Sequence, residues 1–171
     1  MQAIKYIQTP NVSDYKTNKK GFIIHGTLGN YDGAINWLCT APSQRPVMSY
    51  SSAHYVIAKD GRITQLAQND QVTWHAGTVS NPTIRAKMAL PTISGVPMVG
   101  KYKNPNDSFI GIELEWFTGD LITPQQIASI KQIIASSNIK NPLIFTHSEI
   151  TDFKADFGRT PYGLSIPKMC A

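Results

Sequence analysis

Residues 52–68 read SAHYVIAKDGRITQLAQ, two runs rich in β-forming residues on either side of Lys59-Asp60-Gly61-Arg62. Asp-Gly between such runs is the strongest short-range hairpin signal a sequence carries. The stretch decides the fold because the other extended runs are set among helical patterns rather than joined by tight turns. GFIIH (21–25) is a short apolar run after a polar, basic segment, the pattern of a buried strand that ends in His25. SFIGIELEW (108–116) alternates, with Ile110, Ile112 and Leu114 on one face and Phe109, Gly111, Glu113 and Glu115 on the other. NPLIFTH (141–147) is a further short strand, again closing on a histidine.

Two helices are legible between these strands. Asp32 is the expected N-cap of a helix through GAINWLCTA, with Ala34, Ile35, Trp37 and Leu38 as its inner stripe and Pro42 as its stop. In TPQQIASIKQIIASS, Thr123, Pro124 and Gln126 form a capping box ahead of an apolar stripe of Ile127, Ile130, Ile133 and Ile134. Strands interleaved with helices, one hairpin and no strict βα alternation predict an α/β protein. Its central sheet is mixed, of five to six strands, and flanked by helices. Residues 81–106 carry Pro91, Gly95, Pro97, Gly100 and Pro105 and predict a long irregular loop at the border of a substrate cleft.

Composition narrows the class. At 171 residues the chain is expected to be one domain, 1–171, large enough to bury a core without disulfides or metal as staples. Cys39 and Cys170 are too far apart for a metal or redox motif and are expected to be free thiols. The net charge of +5 favours anionic partners, yet the densest basic cluster is only KTNKK at 16–20, so no nucleic-acid partner is expected. The N-terminus lacks the basic-then-apolar order of a signal peptide, and no apolar run approaches 18 residues. The expectation is a monomer made in the cytoplasm, without membrane insertion.

Two strands ending in histidine, beside loops, are where α/β sheets place ligand sites. A catalytic zinc takes three His or carboxylate ligands and keeps one open position. Asp156, nine residues after His147, can supply the third beside His25 and His147. By spacing alone such a set is weak, at roughly one chance in four, and ordinary satisfied histidines are the more frequent reading.

Four segments in order, GFIIHGT, SSAHYVIAKDGRITQLAQNDQVTWHAG, NPNDSFIGIELE and THSEITDFKAD, resemble the zinc-dependent N-acetylmuramoyl-L-alanine amidases related to the peptidoglycan recognition proteins. The resemblance runs from about residue 20 to about 161. It implies hydrolysis of the amide between N-acetylmuramic acid and the L-alanine that begins the stem peptide, with Zn2+ as cofactor and peptidoglycan or a muropeptide as substrate. Carried over by position, it places zinc on His25, His147 and Asp156 and oxyanion stabilisation on Lys154. One branch of the family uses a tyrosine just before His54, where this chain has Ala53; the other uses the first Glu of a GIELE segment, here Glu113. Glu113 is thus the expected general base and later acid, with Glu115 as fallback. His75, Trp74 and Thr27 are candidate substrate-side residues. His54 is expected to be a satisfied core histidine and Tyr55 a strand-packing residue. The biology implied is lytic, an endolysin acting on the wall once released. The alternatives are a cytoplasmic muropeptide-recycling amidase, an interbacterial toxin, a zinc hydrolase of another amide, or a peptidoglycan-binding module without catalysis.

Overall fold

The computed structural model describes residues 2–77, 79, 83 and 105–150. Its strands are β1 (Ile4–Tyr6), β2 (Val12–Lys16), β3 (Gly21–Gly26), β4 (Tyr55–Ile57), β5 (Ile63–Gln65), β6 (Gln71–Thr73), β7 (Phe109–Leu114) and β8 (Leu143–Thr146). Its α-helices are α1 (Tyr31–Cys39), the single turns α2 (Pro105–Ser108) and α4 (His147–Ile150), and the long α3 (Pro124–Ser136). Six strands form one sheet in the order β1-β5-β4-β7-β3-β8, while β2 and β6 pair separately. The hairpin is present as expected: β4 and β5 are antiparallel with Tyr55 opposite Gln65, whereas every other pairing in the large sheet is parallel. Gly61 sits in its turn at φ +93°, a conformation that L side chains avoid.

Both faces of the sheet are covered, which is why β3, β4 and β7 read as nearly continuous apolar runs. On one face Phe22, Ile24, Tyr55, Ile57, Ile110, Ile112 and Leu114 pack with Ile130 and Ile133 of α3. On the other, Ile23, Phe109 and Phe145 form a smaller cluster with Ala76, Val79 and Ile150, and Val56 packs with Tyr31 and Leu38 of α1.

The α3 capping box forms as expected: Thr123 Oγ1 accepts from the Gln126 N–H at 3.1 Å, and Gln126 Oε1 accepts from the Thr123 N–H at 3.0 Å. For α1 the expectation needs correction. Asn30, not Asp32, is the N-cap, its Oδ1 accepting from the Gly33 N–H at 2.7 Å. Starting earlier, the helix presents Tyr31 and Leu38 to the core and leaves Trp37 42% exposed. The helix ends at Cys39 and Pro42 opens a 3-10 turn, Pro42–Gln44. Cys39 is a free, half-buried thiol, and burial raises its pKa. Cys170 and the stretch 84–104, most of the expected irregular loop, lie outside the described residues.

Candidate active site

The two histidine-bearing strands are neighbours. β3 lies between β7 and β8, and all three run parallel, so their carboxyl ends meet at one edge of the sheet. His25 is opposite Glu113 across the β3–β7 pair, which puts both side chains on one face. His147 follows β8 directly, as the first residue of α4. The imidazoles of His25 and His147 lie with ring centroids 4.4 Å apart and planes at 68°, both rings almost wholly buried.

These residues line a cleft of about 820 Å³ together with Thr27, Leu28, Trp37, Trp74, His75 and Glu113. Helix α1 forms one wall. Trp37, Trp74 and Leu28 are exposed around it, so apolar surface faces a polar floor. Thr27 serves the loop as well as the wall: its hydroxyl donates to the Gly29 carbonyl at 2.6 Å and accepts from the Gly29 N–H at 3.1 Å. Trp74 is held through its backbone, its N–H donating to Ser52 Oγ at 2.9 Å.

His75 lies deeper than either tryptophan. Its Nδ1 is 3.0 Å from His25 Nε2, and its Nε2 is 3.2 Å from the Phe109 carbonyl oxygen. Burial pushes its pKa down to about 3, with the nearby positive charge of Lys19 and the His147 ring adding to the effect and the Phe109 bond opposing it. Asn106 fixes the segment: its Oδ1 accepts from the His75 N–H at 3.1 Å and the Ala76 N–H at 2.8 Å, and its Nδ2 donates to the Ala76 carbonyl at 2.8 Å.

His54 is a satisfied core histidine. Its Nε2–H donates to the Gln71 carbonyl at 3.0 Å and its Nδ1 accepts from the Gly111 N–H at 3.0 Å, with the Thr73 hydroxyl at the same distance; burial holds its pKa far below the usual histidine range. Tyr55 likewise packs in the sheet, donating its phenol proton to Asn69 Oδ1 at 2.6 Å, and burial raises its pKa to about 12. Glu113 and Glu115 part company. Glu113 lines the cleft, whereas Glu115 Oε2 accepts from the Lys59 N–H at 2.9 Å, away from it.

Asp156 and Lys154 lie outside the described residues. Among the described residues no group of three His, Cys, Asp or Glu is placed to hold a metal ion. Trp37, which the sequence pattern assigned to the core, is exposed at the cleft. The signal for it was present in the i, i+7 pair Tyr31 and Leu38, which defines a stripe that excludes position 37.

The architecture is that of the peptidoglycan amidases. A selenomethionine derivative of AmpD superposes with a TM-score of 0.62 at 23% identity, covering 93% of this chain and 89% of that one. The endolysin N-acetylmuramoyl-L-alanine amidase LysCS from Clostridium intestinale gives a TM-score of 0.55 at 19% identity, over 92% and 88% of the two chains. AmiD from E. coli, solved with anhydro-N-acetylmuramic acid-L-Ala-D-gamma-Glu-L-Lys, gives 0.52 at 24% identity, over 83% of this chain and 50% of AmiD. No curated protein sequence matches the chain significantly. The family model described as N-acetylmuramoyl-L-alanine amidase matches residues 15–159, and the chain belongs to that family.

Proposed function

We propose that this amidase hydrolyses the bond between the lactyl group of N-acetylmuramic acid and L-alanine with a zinc ion held by His25, His147 and Asp156. The observation that carries the reading is the convergence of two buried imidazoles, centroids 4.4 Å apart, on the cleft that Glu113 also lines. Neutral imidazoles joined by one carboxylate are the donor set of an open catalytic zinc site, so the residues fit the ion. When bound, zinc supplies a Lewis acid that brings the pKa of a water to about 7 and polarises a carbonyl.

The chain's own groups then divide the work. Glu113 takes a proton from the attacking water as the new C–O bond forms, and delivers it to the alanine nitrogen as the C–N bond breaks. Lys154 offers its ammonium to the negative charge that develops on the carbonyl oxygen. Trp37, Trp74 and Leu28 present apolar surface at the cleft to a sugar ring or stem peptide. A carboxylate beside the imidazole pair favours hydrolysis over binding alone, since binding needs no proton acceptor there.

For the biological role we favour wall lysis of the endolysin kind. The net charge of +5 would draw the protein to anionic wall polymers. The test is metal analysis of the purified protein together with stem-peptide release, assayed in parallel on intact sacculi and on a soluble anhydro-muropeptide of the type seen in the AmiD complex. Zinc-dependent release from sacculi is expected. Release from the soluble fragment alone would assign the recycling role, and no release from either would defeat the reading.

A further inference from the structure

His75 lines the cleft, and both nitrogens of its ring face protein groups. Its Nε2 faces the Phe109 carbonyl at 3.2 Å, and a carbonyl oxygen can only accept, so Nε2 carries a proton. The ring is packed inside the protein with no carboxylate among its hydrogen-bond partners within the described residues, which disfavours a second proton on Nδ1. Nδ1 is then an acceptor. The group 3.0 Å from it is His25 Nε2, which must be the donor, and a neutral His25 protonated on Nε2 has its lone pair on Nδ1.

We infer that His75 is a positioning residue that fixes His25 in the Nε2–H tautomer, presenting Nδ1 as its metal-binding nitrogen. This rests on the zinc reading above and deepens it. A metal-binding histidine needs its other nitrogen anchored to hold the ring's angle and tautomer, usually by a carboxylate or a backbone carbonyl. Here a second imidazole does so, itself anchored by the Phe109 carbonyl, and its backbone is clamped by Asn106. The surrounding sheet is shaped to receive it. A Cβ at Gly111 would lie 2.4 Å from His75 Cγ, so the ring lies against bare backbone between β7 and His25. Both ring nitrogens are committed within the protein, which leaves neither to bind substrate.

The experiment has two arms. In metal-free protein, nitrogen NMR of labelled histidine should report His25 as the Nε2–H tautomer, and that signature should become mixed in His75→Leu. In zinc titrations against a chromophoric chelator, His75→Leu should bind about 10–100-fold more weakly than wild type. His75→Asn, whose Oδ1 can take the place of Nδ1, should recover most of the affinity. A merely structural role for the ring would lower thermal stability in both variants without the tautomer change or the selective rescue. An Nδ1–H tautomer for His25 in wild type overturns the inference even if both variants fail to fold. Equal zinc affinity in wild type and a folded His75→Leu overturns it while leaving the zinc site intact. A wild type that binds no zinc defeats the proposed function itself and the metal-directed role of His75 with it.

Discussion

Glu113 and Glu115 stand two residues apart with side chains of the same chemistry, and their surroundings separate them. Glu115 is engaged by the Lys59 amide, and its own carbonyl accepts from Gln126 Nε2 at 2.9 Å, so it ties the end of β7 to the start of α3. Glu113 is opposite His25 and lines the cleft. Replacing Glu113 by Gln keeps the shape and removes the basic group. The expected result is a fall in kcat of about 10²- to 10⁴-fold with zinc content unchanged. Full turnover by Glu113→Gln would move proton transfer to another group. Asp156→Ala, by contrast, should lower zinc affinity and activity together, seen as metal loss on dialysis in step with lost peptide release. These opposite patterns separate a group that handles protons from one that holds the ion.

Among the elements, those set by local chemistry were legible in the sequence. The Asp-Gly hairpin and the Thr123 capping box are written in adjacent residues, and both are in the structure. The start of α1 was not, because Asn30 and Asp32 are both competent caps and the choice falls to Tyr31, whose burial in the core requires the earlier start. The convergence of His25 with His147 followed from strand ends only once β3 and β8 were known to be parallel neighbours. The placing of His75 behind His25 had no local signature at all. It arises from tertiary contact, and its trace in the sequence is the glycine at 111, whose missing side chain could equally have marked a bulge. Gly111→Ala tests that contact. The added methyl must displace the His75 ring, at an expected cost of about 1–3 kcal/mol in urea unfolding together with weaker zinc binding. An unchanged unfolding midpoint and zinc affinity would mean that the ring has room to retreat.

The segment between β2 and β3 offers a pH test. Lys19 Nζ donates to the Asn106 carbonyl at 2.9 Å and to the Asp107 carbonyl at 3.3 Å, close behind the clamp on His75. Burial lowers its pKa to about 8, against the opposing pull of Asp107 and Asp70. Below about pH 8 the amine is charged in both the folded and unfolded chains, and the full cost of burying it is present. Between about 8 and its ordinary 10.5 the unfolded chain binds more protons, so folding gains stability as pH rises. Urea midpoints of wild type and Lys19→Met compared at pH 7.5 and pH 10, values chosen to bracket roughly this window, should move in favour of wild type at the higher pH. A difference that stays constant across the window would place the amine in solvent.

For the whole molecule, the question is whether the metal assembles the fold or the fold assembles the metal site. The parallel register of β3 with β7 runs over six residue pairs, from Gly21 with Phe109 to Gly26 with Leu114, and β8 is added over four more. Apolar clusters on both faces of the sheet hold these strands together. His25 and His147 are therefore brought together by strand pairing and core packing, and an ion would meet this histidine pair already in place. This is the reverse of small zinc domains, whose apo chains are unfolded. Chelated protein should accordingly keep its far-UV circular dichroism and unfold cooperatively while losing all amidase activity. Restored zinc should return the activity and raise Tm by mass action, by the equivalent of about 4 kcal/mol when free zinc is a thousand times its dissociation constant. The stabilisation should grow with the logarithm of free zinc, because an ion that binds only the folded chain acts in that way. Collapse of the dichroism on chelation would show instead that the strand ends are held together by the ion.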